Sequence, residues 1–254
     1  EKDLKDSLIN LNKAIYNNPD LADEVIYKLK GILFSVNQIG LVKANEEFFE
    51  WLRGDKTMPF GENNQHIPIR LIDFDNLSNN SYIITNQFKV QHGELKIPDI
   101  VMLINGIPVV VGEAKTPIRP AISWLDGAHE IHDIYENAVP QLFVPNILSF
   151  ATEGKELFYG GVRAPLQHWS PWRINEDKND LVKKLNLGEV GEELVDLLSP
   201  EKLLDILKNF SLFSTNKKKQ RSKIICRFQQ YEGANKIVER VVEGKEKKGL
   251  IWHF

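Results

Sequence analysis

The sequence contains a single cysteine, Cys226, among 254 residues. One thiol cannot form an internal disulfide, and six histidines without a cysteine cluster cannot build a thiolate zinc site. Neither kind of cross-link is therefore expected, and a hydrophobic core must hold the fold together. With 42% hydrophobic residues, the chain is long enough for one large domain with appendages.

Long apolar runs are also missing from the chain. No stretch approaches the roughly 18 apolar residues that a membrane span requires, and the charged opening Glu1–Asp6 is unlike a secretory signal. We therefore expect a cytoplasmic protein with no membrane partner. Because the chain starts with glutamate and not methionine, we expect a piece of a longer protein.

An excess of positive charge is absent as well. The 32 Lys and Arg residues face 35 Asp and Glu residues, which gives a net charge of −3. This balance argues against nucleic-acid binding over the whole surface, although a local basic patch remains compatible with it.

The hydrophobic pattern changes its period along the chain. Apolar residues three and four apart predict two helices over residues 4–30 and a third over 44–52. Short runs rich in Ile, Val, Phe and Tyr then predict strands. These strands cover residues 69–74, 82–90, 97–104, 108–115, 146–152 and 157–162, with a helix over 122–138. The mixture predicts an α/β domain over residues 41–165.

The C-terminal third is more polar. Residues 181–198 carry scattered leucines, Ser199-Pro200-Glu201 is typical of a helix start, and a last helix is predicted over 229–243. A basic loop is predicted over 216–223, and it either contacts a DNA backbone through phosphates or is a solvated linker. Its cationic residues are Lys217, Lys218, Lys219, Arg221 and Lys223.

Two neighbouring predicted strands are joined by Asn105-Gly106, a strong hairpin signal. The hairpin brings Asp99 close to Glu113 and Lys115. Metal-assisted hydrolysis of a phosphodiester would use such charges, because two carboxylates hold Mg²⁺ and an ammonium orients or deprotonates a water. Glu113 and Lys115 share one strand face, and the backbone carbonyl of Ala114 can be a further ligand. A solvated salt-bridge cluster is the alternative.

The register of this hairpin decides whether the two carboxylates can share an ion. A two-residue turn would pair Asp99 with Gly112 and leave it on the wrong face for Glu113. A three-residue turn closed by Gly106 in a left-handed bulge would pair Asp99 with Val111, about 7 Å diagonally from Glu113. We therefore expect the bulged turn.

The segments Ile97–Val101 and Asn105–Pro117 resemble the nuclease hairpin of the restriction (R) subunit of type I restriction-modification enzymes. The resemblance covers most of residues 41–162. It implies a PD-(D/E)xK restriction-endonuclease-like core, in which helices flank a central mixed sheet, with helical extensions at both ends. Further matching segments are Ala44–Phe48, Asn86–Val90, Pro140–Phe143, Ala151–Gly154 and Tyr159-Gly160.

The resemblance also implies roles for individual residues. Asp99 and Glu113 match the metal ligands, and Lys115 matches the catalytic lysine. Many members carry Gln-x-x-x-Tyr on the following helix, a motif that implies a DNA contact; Tyr135 fits it, but the glutamine position is Ile131. In related nucleases, a helix that precedes the sheet adds a further carboxylate to the metal site. In this chain the acidic residues of the preceding helix either have that role or are solvated surface charges. The residues in question are Glu46, Glu47 and Glu50.

The segments Arg227–Tyr231 and Gly249–His253 resemble the stretch that leads into the Walker A loop of the motor in these subunits. No Gly-x-x-x-x-Gly-Lys-Ser/Thr occurs in the sequence, so useful ATP binding is not expected of this chain. In the full subunit, Gln230 and Tyr231 would lie near an adenine site. The predicted regions are a helical extension (1–40), a nuclease domain (41–165), a helical connector with the basic loop (166–223) and the start of a motor domain (224–254).

The resemblance implies a Mg²⁺-dependent endonuclease domain that cleaves double-stranded DNA without sequence specificity of its own. The full subunit would translocate DNA with ATP, alongside methyltransferase and specificity subunits. Two alternatives stay open: a repair or recombination nuclease of the same fold, and a docking module that does not cut. His129 and His132, three apart on a predicted helix, are either metal ligands or surface residues.

Overall fold

Four helices form the N-terminal part of the chain. The computed structural model describes residues 1–116, 118, 121–174, 186–245 and 248–250. Gly40 ends the third helix with φ of +83°, and its N–H donates to the Val36 carbonyl. The helices are α1 (Lys2–Leu11), α2 (Lys13–Asn17), α3 (Leu21–Ile39) and α4 (Leu41–Leu52).

A mixed sheet forms the centre of the described part of the chain. Its strands are β3 (Tyr82–Asn86), β6 (Ile100–Ile104), β7 (Ile107–Ala114), β8 (Leu148–Thr152), β9 (Leu157–Gly160) and β10 (Ser170–Pro171). Their spatial order is β10-β9-β8-β7-β6-β3. β7 and β8 are parallel, and the other neighbours are antiparallel. Val109, Val110 and Val111 are buried, as expected for a strand covered on both faces.

Two-stranded ladders flank this sheet. They are β1 (Thr57–Met58) with β2 (Ile67–Pro68), β4 (Val90–His92) with β5 (Glu94–Lys96), and β11 (Ser211–Thr215) with β12 (Arg221–Ile225). The strand predicted over 82–90 is therefore divided into β3 and β4. The loop predicted over 216–223 is confirmed for residues 216–220, the turn of the β11–β12 hairpin, but is wrong for residues 221–223, which belong to β12.

Helices connect the two parallel strands, as such a crossover requires. They are α5 (Trp124–His129), a π-helical segment (Glu130–Tyr135), α6 (Glu136–Ala138) and α7 (Pro140–Phe143). The α5 helix starts at a capping box. The backbone N–H of Ser123 donates to the Asp126 carboxylate, and the backbone N–H of Leu125 donates to the Ser123 hydroxyl. The predicted α/β fold, with helices around a central mixed sheet, is confirmed.

Three further helices follow the sheet: α8 (Glu189–Leu197), α9 (Pro200–Asn209) and α10 (Phe228–Glu243). The predicted helix start at Ser199-Pro200 is confirmed. Trp172 is fully buried, and its indole N–H donates to Asp196 of α8 at 2.8 Å. Residues 181–185, part of the polar stretch, lie outside the described residues. The division of the chain into four regions stays a prediction.

The strand predicted over 69–74 is wrong. Ile69, Leu71 and Ile72 are buried as a strand would require, but the backbone of Arg70 is bonded by a side chain. Asn12 donates to the Arg70 carbonyl at 2.9 Å and accepts from its N–H at 2.8 Å. The side-chain amide of Asn12, which lies between α1 and α2, thus replaces the partner strand. Among the described residues, we find no helix with the length and apolar character to cross a membrane.

Candidate active site

The β6–β7 hairpin turns tightly at Asn105-Gly106. Ile104 pairs with Ile107, and both turn residues have positive φ, +53° for Asn105 and +76° for Gly106. These angles are typical of a type I′ turn, whose twist matches that of the flanking strands. The expected three-residue turn is therefore wrong, because Asn-Gly closes the hairpin without an extra residue.

A β-bulge further along the hairpin changes its register. The pairing with β6 shifts by one residue at Val109, the extra residue in β7. Continued to the end of β6, the shifted register places Asp99 opposite Glu113 and on the same face of the sheet. The predicted pairing of Asp99 with Val111 is wrong, but the bulge brings the two carboxylates together by another route.

Backbone hydrogen bonds join Asp99 and Glu113. The N–H of Asp99 donates to Glu113 Oε1 at 3.2 Å. The N–H of Ala114 donates to Asp99 Oδ2 at 3.1 Å. Each carboxylate is therefore fixed to the strand that carries the other, at the edge of the sheet where β7 ends.

The carboxylate of Glu113 is buried. The residue is 2% exposed, and a Cβ placed on Gly127 of α5 would lie 3.1 Å from Glu113 Cβ. Burial, and then the charge of Asp99, raise the pKa of Glu113 to about 7, against a smaller lowering by Lys115. A buried carboxylate of this kind is costly unless a proton or a cation compensates its charge.

Lys115 lies between two carboxylates. Its Nζ donates to Glu113 Oε2 at 3.1 Å and forms a second ion pair with Glu130 Oε2. Burial alone would lower the pKa of Lys115, but the hydrogen bonds and charges of Glu130 and Glu113 outweigh it, and the pKa is raised. The Lys115 ammonium is therefore held by two ion pairs next to the predicted metal ligands Asp99 and Glu113.

Sequence reasoning missed Glu130. Its second oxygen, Oε1, accepts a hydrogen bond from the Tyr135 hydroxyl at 2.9 Å. The two residues are five apart and meet because residues 130–135 are π-helical. Ile131, at the four-residue spacing that the sequence motif would use, is completely buried in the core. Tyr135 is 5% exposed, so its predicted role as a direct DNA contact is corrected to an internal contact with Glu130.

Gln87 is a second residue that sequence reasoning missed. Its Nε2 donates to Asp99 Oδ1 at 2.8 Å, and its backbone N–H donates to the Asp99 carbonyl at 2.9 Å. The backbone has φ of +51°, a left-handed conformation that costs energy for a residue with a Cβ. The resemblance over Asn86–Val90 includes this glutamine, but neither its residue type nor its spacing from Asp99 predicts the contact.

The donor set of the site suits a hard divalent cation. Asp99 and Glu113 present four carboxylate oxygens, and each of them has a second lone pair beyond the protein hydrogen bond it accepts. Oxygen donors of this kind favour Mg²⁺. Among the described residues, no group of three or more His, Cys, Asp or Glu could hold a metal. An ion here would therefore need further oxygens, such as the Ala114 carbonyl and water.

The other predicted ligands have different partners. Glu46 forms an ion pair with Arg221, Glu50 pairs with Lys56 at 2.6 Å, and Glu47 is exposed. The two histidines of the connecting helix both bond one aspartate, Asp133, through Nδ1 at 2.7 Å. The structure therefore brings none of these described residues into a metal-ligating group.

The basic residues of the β11–β12 hairpin differ in their surroundings. Lys217, Lys218 and Lys219 are exposed at its turn, and their contact with DNA stays a prediction. Lys223 is 3% exposed, donates to the carbonyls of Asn146 at 2.6 Å and Ile147 at 2.7 Å, and has a pKa lowered by burial. Its predicted DNA contact is corrected, because a buried ammonium cannot reach a phosphate.

Arg221 is also engaged within the protein, through two hydrogen bonds from its guanidinium to Glu46 of α4. The hairpin as a whole lies away from the two carboxylates. Lys223 contacts the residues that precede β8, whereas Glu113 and Ala114 pair with the end of that strand, Ala151 and Thr152. Lys223 and the candidate active site therefore lie at opposite ends of β8.

The two predicted adenine contacts lie on α10. Gln230 Oε1 accepts from the N–H of Arg227 at 2.9 Å. Tyr231 is 6% exposed and packs against Phe210 and Trp172 with ring centroids 4.8 and 5.4 Å away. Their role in a longer protein stays a prediction, and residues 251–254 lie outside the described residues.

The chain matches a known family over most of its length. The sequence model described as type I restriction enzyme R protein N terminus matches residues 1–168. The chain belongs to this family. The match includes the β6–β7 hairpin and the helix that carries Glu130.

Curated relatives agree with the family. The chain is 28% identical over 245 residues to the "Type I restriction enzyme HindI endonuclease subunit" of Haemophilus influenzae. This alignment covers 93% of the chain and 23% of the relative. The chain is 31% identical over 194 residues to the "Putative type I restriction enzyme MjaVIIIP endonuclease subunit" of Methanocaldococcus jannaschii, covering 73% and 18%. The chain thus spans about a quarter or less of these relatives.

Proposed function

We propose that this R protein N terminus is a Mg²⁺-dependent nuclease domain of the PD-(D/E)xK type, which hydrolyses phosphodiester bonds of double-stranded DNA. The observation that carries the proposal is the meeting of Asp99 and Glu113 beside Lys115 at one end of β7. Family membership supports it, because the named relatives are endonuclease subunits.

The residues of the chain divide the work of such a reaction. Asp99 and Glu113, with the Ala114 carbonyl, would hold the metal ion. A bound Mg²⁺ stabilises negative charge on the phosphate and acidifies a water. The Lys115 ammonium orients that water or a phosphate oxygen through hydrogen bonds. The helix that carries Gly127 packs against Glu113 and excludes solvent from one side of it, which strengthens electrostatic interactions there.

The longer protein would add what this chain does not carry. We propose that cleavage is coupled to ATP-driven DNA translocation and that methyltransferase and specificity subunits select the DNA. The domain itself would cut without sequence specificity, because sequence recognition in that assembly belongs to another subunit. A repair or recombination nuclease is not favoured, since the relatives that match almost the whole chain are restriction subunits.

Metal binding tests the proposal without requiring the longer protein. Calorimetric titration of Mn²⁺ and Mg²⁺ into the 254-residue chain is expected to show saturable binding that is lost in Asp99→Ala and in Glu113→Gln. Glu94→Gln is the matched control, because Glu94 is exposed and forms its salt bridge with Lys96, two residues away on the same strand. Circular dichroism checks that each variant is folded.

Three results would separate the possible outcomes. Equal binding by wild type and both site variants would reject this metal site. No binding by the folded wild type, alone or with a short DNA duplex, would reject the nuclease and favour the docking module. Binding that appears only with the duplex would mean that DNA completes the site, and the two variants must then abolish it.

A further inference from the structure

The ammonium of Lys115 is shared between two carboxylates on different elements. On one side is Glu113 Oε2 at 3.1 Å, on β7. On the other side is Glu130 Oε2, on the helix that covers the site. Glu113 is 2% exposed, whereas the side chain of Glu130 is 31% exposed. The two carboxylates are therefore not equivalent, and only one of them belongs to the proposed metal site.

The position of Glu130 is fixed independently of Lys115. Its other oxygen accepts from the hydroxyl of Tyr135 at 2.9 Å, and Tyr135 is itself buried in the core. The π-helical segment brings these two residues, five apart, onto one side of the helix. Close packing of Gly127 against Glu113 holds the same helix against β7. The carboxylate of Glu130 is thus held in position by the protein and is not a mobile surface charge.

A conflict arises at Glu113 if a divalent cation binds there. The cation and the Lys115 ammonium are both positive and would both use the Glu113 carboxylate. An ammonium without another partner would compete with the cation for this oxygen. Glu130 offers the ammonium that other partner, within reach of its present position, so Lys115 can leave Glu113 without losing its ion pair.

We propose that Glu130 is a positioning residue that holds Lys115 beside the metal site while Glu113 binds the cation. The inference rests on the proposed metal-dependent nuclease function and adds a residue to it. Glu130 acts through Lys115 and is not a metal ligand. Its effect on cation affinity must therefore depend on the presence of the lysine.

A double-mutant cycle measures this dependence. Mn²⁺ titrations are made on wild type, Glu130→Ala, Lys115→Met and the double variant. Glu130→Ala is expected to weaken Mn²⁺ binding about threefold or more when Lys115 is present, the size of coupling typical for residues in contact. In the Lys115→Met background the same substitution is expected to change the dissociation constant much less, because the competing ammonium is gone.

A control variant separates the effect of the Glu130 carboxylate from that of the Tyr135 hydroxyl. Tyr135→Phe keeps the Glu130 charge and removes only the hydroxyl contact, so it should weaken Mn²⁺ binding less than Glu130→Ala. Thermal melting checks that the variants are folded. If Glu130→Ala does not fold, Glu130→Gln replaces it, since it keeps the shape of the side chain and removes the charge.

Two results would overturn the inference. Equal weakening in both backgrounds would mean that Glu130 acts through its own charge on the cation. No weakening in either background would mean that Lys115 does not depend on it. Both results are distinct from a failure of the proposed function, in which the folded wild type itself does not bind Mn²⁺ with or without a DNA duplex.

Discussion

The backbone N–H of Asp99 donates a hydrogen bond to the buried carboxylate of Glu113, with 3.2 Å between nitrogen and oxygen. This contact exists because Val109 is bulged out of β7 and shifts the register of the hairpin by one residue. Without the shift, Asp99 would face Gly112, and the two carboxylates would lie on opposite faces of the sheet.

Gly112 is expected to tolerate no larger residue. A Cβ at this position would lie 2.1 Å from Phe150 Cζ on the neighbouring strand. Gly112→Ala should therefore lower the free energy of unfolding by about 1–3 kcal/mol, as overpacking usually does. The matched control is Gly31→Ala, inside α3 with open space around it, which should be neutral or stabilising by up to about 1 kcal/mol. Urea denaturation measures both, and an unchanged midpoint in Gly112→Ala would contradict the packing described for β7 and β8.

Gln87 is expected to support Asp99 at a cost in backbone strain. Gln87→Ala and Gln87→Gly both remove the 2.8 Å hydrogen bond to Asp99 Oδ1, and each should weaken Mn²⁺ binding about tenfold, as for other residues that orient a ligand. Only glycine relieves the left-handed backbone, so Gln87→Gly should be more stable than Gln87→Ala by about 1 kcal/mol. Equal stability of the two variants, or wild-type affinity in both, would refute the respective part of this prediction.

Glu136 should make the protein less stable as the pH rises. It is 1% exposed, and burial raises its pKa from 4.5 to about 8, against smaller lowering effects of Arg163 and Lys223. Between these pH values the folded chain retains a proton that the unfolded chain has released. The free energy of unfolding should therefore fall with pH, by at most about 1.4 kcal/mol per unit for one proton.

Glu136→Gln tests this assignment, because the amide keeps an acceptor for the Arg163 N–H. Urea denaturation at several pH values between 5 and 8 is expected to show a shallower loss of stability in the variant. Some slope should persist, since the raised pKa of Glu113 acts in the same direction. A slope as steep as that of the wild type would show that Glu136 does not retain its proton.

The exposed turn of the β11–β12 hairpin offers a test of DNA binding. Replacing Lys217, Lys218 and Lys219 together by alanine should weaken non-specific duplex binding and reduce the slope of log K against log salt by about 3, if each lysine neutralises one phosphate. The control replaces three exposed lysines elsewhere, Lys2, Lys28 and Lys43. Equal salt slopes for the two triple variants would show that the turn does not contact the DNA.

The sequence was most informative where chemistry and local turn signals coincide. Asn105-Gly106 predicted the hairpin, and the charges at its ends predicted which residues would meet. The bulge at Val109 could not be predicted, because a valine in an apolar run carries no sign of one. The predicted pairing of Asp99 with Val111 was therefore wrong, although the predicted proximity of Asp99 and Glu113 was correct.

Contacts that depend on distant or irregular structure were missed. Glu130 meets Tyr135 only through a π-helical turn, whereas a search at normal helical spacing finds Ile131. Lys223 belongs to a basic run by sequence but faces inward, since side chains alternate along a strand. Asn12 prevents a strand at Arg70 from 58 residues away. None of these features leaves a local pattern in the residues around it.

The most direct test of the metal site is the anomalous difference density of a crystal of this chain grown with Mn²⁺. The arrangement of Asp99 and Glu113 predicts a peak at coordination distance from an oxygen of each carboxylate. The Lys115 ammonium should lie on the Glu130 side of that peak. A well-ordered β6–β7 hairpin without a peak between the two carboxylates, both in the chain alone and in its complex with a short DNA duplex, at a Mn²⁺ concentration that occupies other sites, would contradict the metal-dependent nuclease.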